Sequence, residues 1–440
     1  MEHSLWQKEA AGSIPGFPPL DGDITTDVLI IGGGLVGLLT AHMLRHAGAD
    51  IHLIEAGRLM GGTSGSTTGK ITALHGAVFD RLVREFGAER AKLYYDANAE
   101  AIGEYRALAA GADCDFCERD AFLYSTNDSD RIKREFAAMR RIGIPTEMTD
   151  CPALPFGTAA ALKLAGGAQF DPIRFAANIA AGLPRGHISE HTALLRLNGC
   201  TAITNRGKIH ARRIVVATHF PVVNRHGFYY LKMYQHRSYM LALRGAEPVG
   251  GMYAAAEDDG LTFRDAGDCL IMGGCGARTG KKCGGWQELE RLAAKFYPNA
   301  ETAARWATQD CITLDGIPYI GRYSAFSDGL YVATGFGKWG MTGSMVAARL
   351  LCDLLTGKKN RYERLFGART VMRPQLALNI AEAVAGWVRP TAPRCPHLGC
   401  ALRWNAAEHT WDCTCHGSRF AGDGAVIDSP AVNDADTDGK

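Results

Sequence analysis

Two groups of residues in this chain have the types and spacing to do chemistry, and they lie far apart. Toward the C-terminus, Cys395-x-His397 is followed after fifteen residues by Cys413-x-x-His416. Thiolate and neutral imidazole are borderline-soft donors, so zinc and an iron–sulfur cluster both suit these four ligands. Toward the N-terminus, Gly32-Gly33-Gly34-Leu35-Val36-Gly37 fits G-x-G-x-x-G. Gly32 permits a tight turn, Gly34 lets the backbone approach a pyrophosphate, and Gly37 lets a helix pack closely on a strand. Glu55, followed by Ala56, comes twenty-three residues after Gly32, where a carboxylate accepts both hydrogens of a ribose diol.

The elements that must position these groups are legible around them. Thr26 to Ile31 is a buried apolar strand, Leu35 to Ala47 a helix ending at Gly48, and Ile51 to Ile54 a second strand that delivers Glu55. Strand, glycine turn, helix and strand make a dinucleotide site. Small and hydroxyl residues follow from Gly61 to Thr72, among them Thr63, Thr67, Thr68 and Lys70, and they suit a loop beneath an isoalloxazine ring. Near the other end, a strand over Leu330 to Thr334 runs into Gly335, Gly337, Lys338 and Gly340, then a helix from Met341 and Thr342. Further helices are marked by apolar spacing at 88 to 110, at 132 to 142, and at Leu376, Ile380, Val384 and Trp387.

The glycine turn with Glu55, the strand "ARRIVVATH" and the segment from Asp315 to Gly357 together resemble the D-amino-acid-oxidase (DAO) superfamily of FAD-dependent oxidoreductases, over residues 4 to 360. The likeness implies an α/β fold, with a Rossmann-like FAD domain (1–75, 145–225, 305–360) interleaved with an α+β substrate domain (76–144, 226–304). It implies that the helix after Gly340 faces the flavin pyrimidine edge. Lys338 would stabilise a reduced flavin or bind a substrate carboxylate, and Lys70 would approach from the other loop. Arg237, Tyr239 and Arg264 are the family-like candidates for holding a substrate carboxylate, and Tyr239 is the one singled out beside Lys338. Members of the superfamily sometimes bind flavin covalently, for which His75 and Cys311 are candidates.

In the C-terminal pattern each ligand pair carries one extra cysteine, Cys400 and Cys415. This resembles the Rieske [2Fe-2S] module, in which two cysteines hold one iron and two histidines the other. The resemblance implies Cys395, His397, Cys413 and His416 as ligands and a Cys400–Cys415 disulfide. Ser418 matches a family serine that donates to a cluster sulfide. Phe420 stands at a tyrosine position and Thr414 at a proline position. The module is short, from 388 to 432, with 361–387 as a helical tether and 433–440 as a disordered tail.

Composition bounds the rest. The 440 residues carry 48 basic and 46 acidic side chains, net +2, and 47% hydrophobic residues, as expected of a globular chain with no nucleic-acid partner. The longest apolar runs are short and glycine-broken, so no membrane span is expected, and the N-terminus lacks a signal-peptide pattern, which points to the cytoplasm. The expected function is oxidation of a small amine or amino acid by hydride transfer to FAD, with single electrons passing through the cluster to an external redox partner. Two alternatives stay open: an oxygen-using oxidase with an inactive Rieske remnant, and an electron-transfer flavoprotein without a small substrate.

Overall fold

The computed structural model describes residues 2–223, 227–369, 374–388 and 393–437. Among them the strands form three sheets. The first has the order Tyr319–Arg322, Leu330–Thr334, Lys208–Val216, Ile24–Ile31, Ile51–Ile54, Ile188–Ser189. Its central pairs are parallel, with Ile24–Ile31 between Lys208–Val216 and Ile51–Ile54. Buried on both faces, these strands read as continuous apolar runs. Helices Leu35–His46 and Gly340–Leu355 cover one face and share its core through Leu38, Leu39, Met345 and Leu351.

The second sheet has nine strands, with Glu301–Thr313 at one edge beside Met233–Arg244 and then Cys269–Arg278. Its membership differs from the division expected from the sequence. Thr146–Thr149 and Ala160–Gln169 pair in this sheet, as does the whole of Glu301–Thr313, so residues 145–169 and 305–313 leave the FAD domain assigned above. The hydrogen-bonded ladder decides this, and no local residue pattern announces it. Helices Ala88–Ala109 and Ser129–Arg141 form where apolar spacing places them. No described helix is long and apolar enough to cross a membrane.

The third sheet is a four-stranded antiparallel meander, Leu402–Asn405, Thr410–Cys413, Arg419–Phe420 and Val426–Asp428. The expectation of a disordered tail is corrected over 433–437. Ala435 is buried, its N–H bonds Gly424 O at 2.8 Å, and Asp434 Oδ1 accepts from Val426 N at 2.9 Å, so the segment straps the meander. Residues 438–440 lie outside the described residues. The tether is a helix, Pro374–Trp387, but Ile380, Val384 and Trp387 are exposed. It docks instead through Asn379, whose Oδ1 accepts from Arg278 Nη1 at 2.8 Å, and through Gly386, where a Cβ would lie 2.9 Å from Cys415 Sγ.

Candidate active site and iron–sulfur centre

The glycine turn is held at the limit of contact. Gly32 has φ +114°, and a Cβ there would meet Ala217 O at 2.5 Å; one on Gly37 would lie 1.9 Å from Gly32 O. Glu55 closes the turn, accepting from Gly33 N at 2.7 Å and Gly57 N at 2.8 Å. Burial pushes its carboxyl pKa up against those two N–H groups. Ser64, not singled out in the sequence, accepts from Leu35 N at 3.1 Å and so caps the helix.

A cavity of about 1870 Å³ opens from this turn. Gly32, Gly34, Val36, Glu55, Ala56, Thr63, Thr67, Thr68 and Lys70 line it, as do Gly337, Lys338, Gly340 and Met341 from the closing segment. Leu35, Gly37, Gly335 and Thr342 lie behind the wall: Gly335, at φ +77°, packs on Thr313, and Thr342 bonds the His75 ring at 3.0 Å. The His75 ring is stacked on Trp339 with centroids 4.9 Å apart. Its Nδ1 faces Tyr94 OH at 2.7 Å and its Nε2 faces Thr72 O at 2.8 Å. Burial drops its pKa to about 3. Both nitrogens of this covalent-flavin candidate are therefore engaged by protein, and the other candidate, Cys311, is a buried thiol pushed well up by desolvation.

The cavity wall separates the remaining candidates. Lys70 Nζ donates to Tyr253 O at 2.6 Å and to Thr262 Oγ1, and burial, with Arg264 nearby, holds its pKa well below the usual range. Lys338, at φ +73°, reaches into the cavity, and its pKa is lowered by desolvation against the pull of Asp310. Tyr239 is not brought to the cavity: it is buried against Trp286, ring centroids 5.3 Å apart. Arg237 is committed to Glu408, and Arg264 to the carbonyls of Thr68, Gly69 and Phe170. The sequence reading missed Asp310 and His236, adjacent across Glu301–Thr313 and Met233–Arg244 and facing Lys338. Burial lifts the Asp310 carboxyl to about 6, with Lys338 and Arg237 opposing. Period-two alternation in each strand was the available signal.

Behind the cavity's far wall, which Glu408, Asp428 and Ser429 help to form, the meander gathers the C-terminal cysteines and histidines. Cys400, Cys413 and Cys415 lie with sulfurs within 4.8 Å of one another. Cys395 is buried in the same small cluster of side chains. The crowded thiols share one proton set: the neighbours Cys395, Cys400 and Cys415 pull the Cys413 thiol below its usual pKa, while Cys395 is pushed up. The rings of His397 and His416 are 5.0 Å apart. Burial lowers the pKa of both, to about 4 for His397, so both are neutral, the ligating form. His416 Nδ1 is buried with no hydrogen-bond partner among the described residues, and such an orphan calls for a ligand. Cys400 and Cys415 stand as free thiols near enough to pair, and the expected bridge is not formed. The donor set of two thiols and two neutral imidazoles fits a [2Fe-2S] cluster, and the glycine cradle fits a dinucleotide.

A glycine-cradled dinucleotide site whose cavity is walled at its far end by the module that carries a mixed cysteine and histidine centre defines a flavoprotein with an iron–sulfur module. Residues 27–354 match the FAD dependent oxidoreductase (DAO) family and residues 357–437 the Rieske [2Fe-2S] domain. The chain belongs to the DAO family of FAD-dependent oxidoreductases and carries a C-terminal Rieske domain; it binds FAD and a [2Fe-2S] cluster. It is 34% identical to the Rieske 2Fe-2S iron-sulfur protein YhfW of Bacillus subtilis, across 95% of this chain and 94% of that one. It is 24% identical to gamma-glutamylputrescine oxidoreductase of Escherichia coli, across 86% and 97%. Among solved structures, glycine oxidase from Geobacillus kaustophilus aligns with TM-score 0.67 at 22% identity, covering 79% of this chain and all of that one.

Proposed function

We propose that the protein oxidises a small amine or amino acid at its carbon–nitrogen unit and passes the electrons singly through the C-terminal module to a one-electron redox partner in the cytoplasm. The observation that carries this reading is the shared cavity: its walls include Gly32, Gly34 and Lys338 at one end and Glu408, Asp428 and Ser429 of the Rieske module at the other. When bound, FAD supplies hydride acceptance and the cluster one-electron storage.

The chain's own residues orient the substrate. Asp310, ionised above about pH 6, attracts a substrate ammonium, and Lys338 beside it holds a carboxylate or an anionic ring edge. His236 is neutral, its pKa pushed down to about 3 by burial and Lys338, and offers the substrate an uncharged hydrogen-bonding ring beside Asp310. Resemblance to gamma-glutamylputrescine oxidoreductase and to the glycine oxidase fold supports the carbon–nitrogen choice.

The test is anaerobic mixing of purified protein with a panel of amines and amino acids, following loss of flavin absorbance, then turnover with ferricyanide or oxygen. Bleaching by an amine with faster turnover on ferricyanide is expected. Absence of bleaching across the panel rejects the substrate class, and stoichiometric peroxide with oxygen as the faster acceptor rejects the electron path.

A further inference from the structure

Four consecutive carbonyls of the second ligand loop are held by side chains of the nine-stranded sheet. Arg278 donates from Nε to Thr414 O at 3.3 Å and from Nη2 to Cys415 O at 3.1 Å. Gln235 Nε2 donates to His416 O at 2.8 Å, and Gln309 Nε2 to Gly417 O at 2.9 Å. The glutamines are 1% and 2% exposed and bonded to each other, Gln309 Nε2 to Gln235 Oε1 at 2.8 Å. Gln235 also donates to Ser429 O, and Thr279 Oγ1 donates to Gln309 Oε1 at 2.8 Å. A buried amide pair so fully engaged has little freedom to rotate.

Packing is equally close. Gly417 has φ +82°, and a Cβ there would lie 2.6 Å from Gln235 Cβ; one on Gly280 would lie 2.6 Å from Thr414 Cγ2. The two strands that carry the glutamines also line the cavity, one through Tyr234 and His236 and the other through Thr308, Gln309 and Asp310. The ligand loop is thus fastened to the strands that wall the flavin site.

We propose that Gln235, Gln309 and Arg278 are positioning residues that fix the His416 loop on this wall, making the cluster a stationary relay that needs no displacement of the module to take an electron. The inference rests on the electron path proposed above. Over two successive transfers the hydride-reduced flavin would lose two electrons and one proton, the proton going to solvent; each electron would turn one ferric iron ferrous, and the one-electron partner would reoxidise the cluster between the two.

The test uses full-length protein loaded with both cofactors, comparing wild type with Q235L/Q309L. Flash photoreduction with 5-deazaflavin as the electron source follows flavin and cluster absorbance together, and the EPR spectrum of dithionite-reduced protein reports the ligand loop. Removing outer-shell partners of this kind costs about 10-fold or more, so flavin-to-cluster transfer slows by about that factor, the g-values shift, and FAD and iron contents hold. In wild type the transfer rate is indifferent to added glycerol. An unchanged rate and spectrum in the variant, or a wild-type rate that falls with viscosity, overturns the proposal. If the double variant loses iron, the single variants Q235L, Q309L and R278K are judged by the same two readouts. Wild type that shows no flavin-to-cluster transfer rejects the electron path, and the EPR comparison then decides the role of the glutamines by itself.

Discussion

Replacing Arg419 with methionine tests what holds the iron–sulfur module together. Arg419 is 1% exposed and bonds three carboxylates: Asp412 Oδ1 at 3.1 Å, Asp428 Oδ2 at 3.1 Å and Glu408 Oε2 at 2.8 Å. Glu408 is also bonded by Arg237 of the nine-stranded sheet. Burial works against ionising Glu408, but Arg237 and Arg419 outweigh it and hold its pKa below the ordinary value. Without Arg419, Glu408 keeps Arg237, whereas Asp412 keeps only the neutral donors Asn405 and Thr410. Asp428 is partly exposed and screened, so the cost falls mainly on Asp412. A stranded buried charge costs about 3–5 kcal/mol, and about 4 kcal/mol raises the population of the opened module roughly 1000-fold. Such a chain does not unfold in one step, so urea titration must follow cluster and flavin absorbance separately. The cluster midpoint should fall while the flavin midpoint holds, and adding D412N should restore part of the loss. A cluster midpoint that stays put in R419M, or two midpoints that move together, would refute the reasoning.

Gly37→Ala should abolish FAD binding, seen as colourless protein on purification, because its Cβ would overlap Gly32 O at 1.9 Å. For a cationic substrate, kcat/KM should fall about tenfold per pH unit below about pH 6 as Asp310 takes up a proton, and D310N should flatten that limb. The stability sign runs the other way: a carboxyl raised from 3.8 to about 6 favours the fold while protonated. D310N should therefore raise the melting temperature by an amount that grows as pH rises through that window. Mild oxidation should join Cys400 to Cys415, read by mass after alkylation. C400S should then forfeit about 3 kcal/mol of the module's stability relative to the oxidised form, the value for a loop of this length.

Much of this was readable in the residues, for a physical reason in each case. The glycine turn announces itself because close approach at Gly32 and Gly37 excludes every side chain, and the strand Leu330–Thr334 forms within the bounds its apolar run predicts. The cysteines and histidines of the C-terminal pattern stand out by chemical type, and the fold brings them together in one buried cluster. For Asp310 and His236 the alternation was a signal too weak to use, because an alternating strand does not say which face meets a cavity. Tyr239 was chosen for its type and strand, and packing against Trp286 took it elsewhere. The apolar spacing of the tether marked it as a helix but not which side would dock; Asn379 and Gly386 make the contact, since hydrogen bonding and the room for two cysteine sulfurs decide it. The acidic composition of 433–437 hid a segment anchored by backbone bonds.

The alternation along Met233–Arg244 has one more consequence. Gln235 serves the metal module, Tyr234, His236 and Ser238 serve the cavity, and Arg237 lines the cavity while bonding Glu408 of the module. Substitutions can accumulate on one set while the other stays fixed, so descendants of this chain could change what they oxidise and keep the same wiring. A single-residue insertion in the strand would exchange the two sets and spoil both at once. Lineages should therefore vary in side chain at Tyr234 and Ser238, which line the cavity, while tolerating no change in strand length.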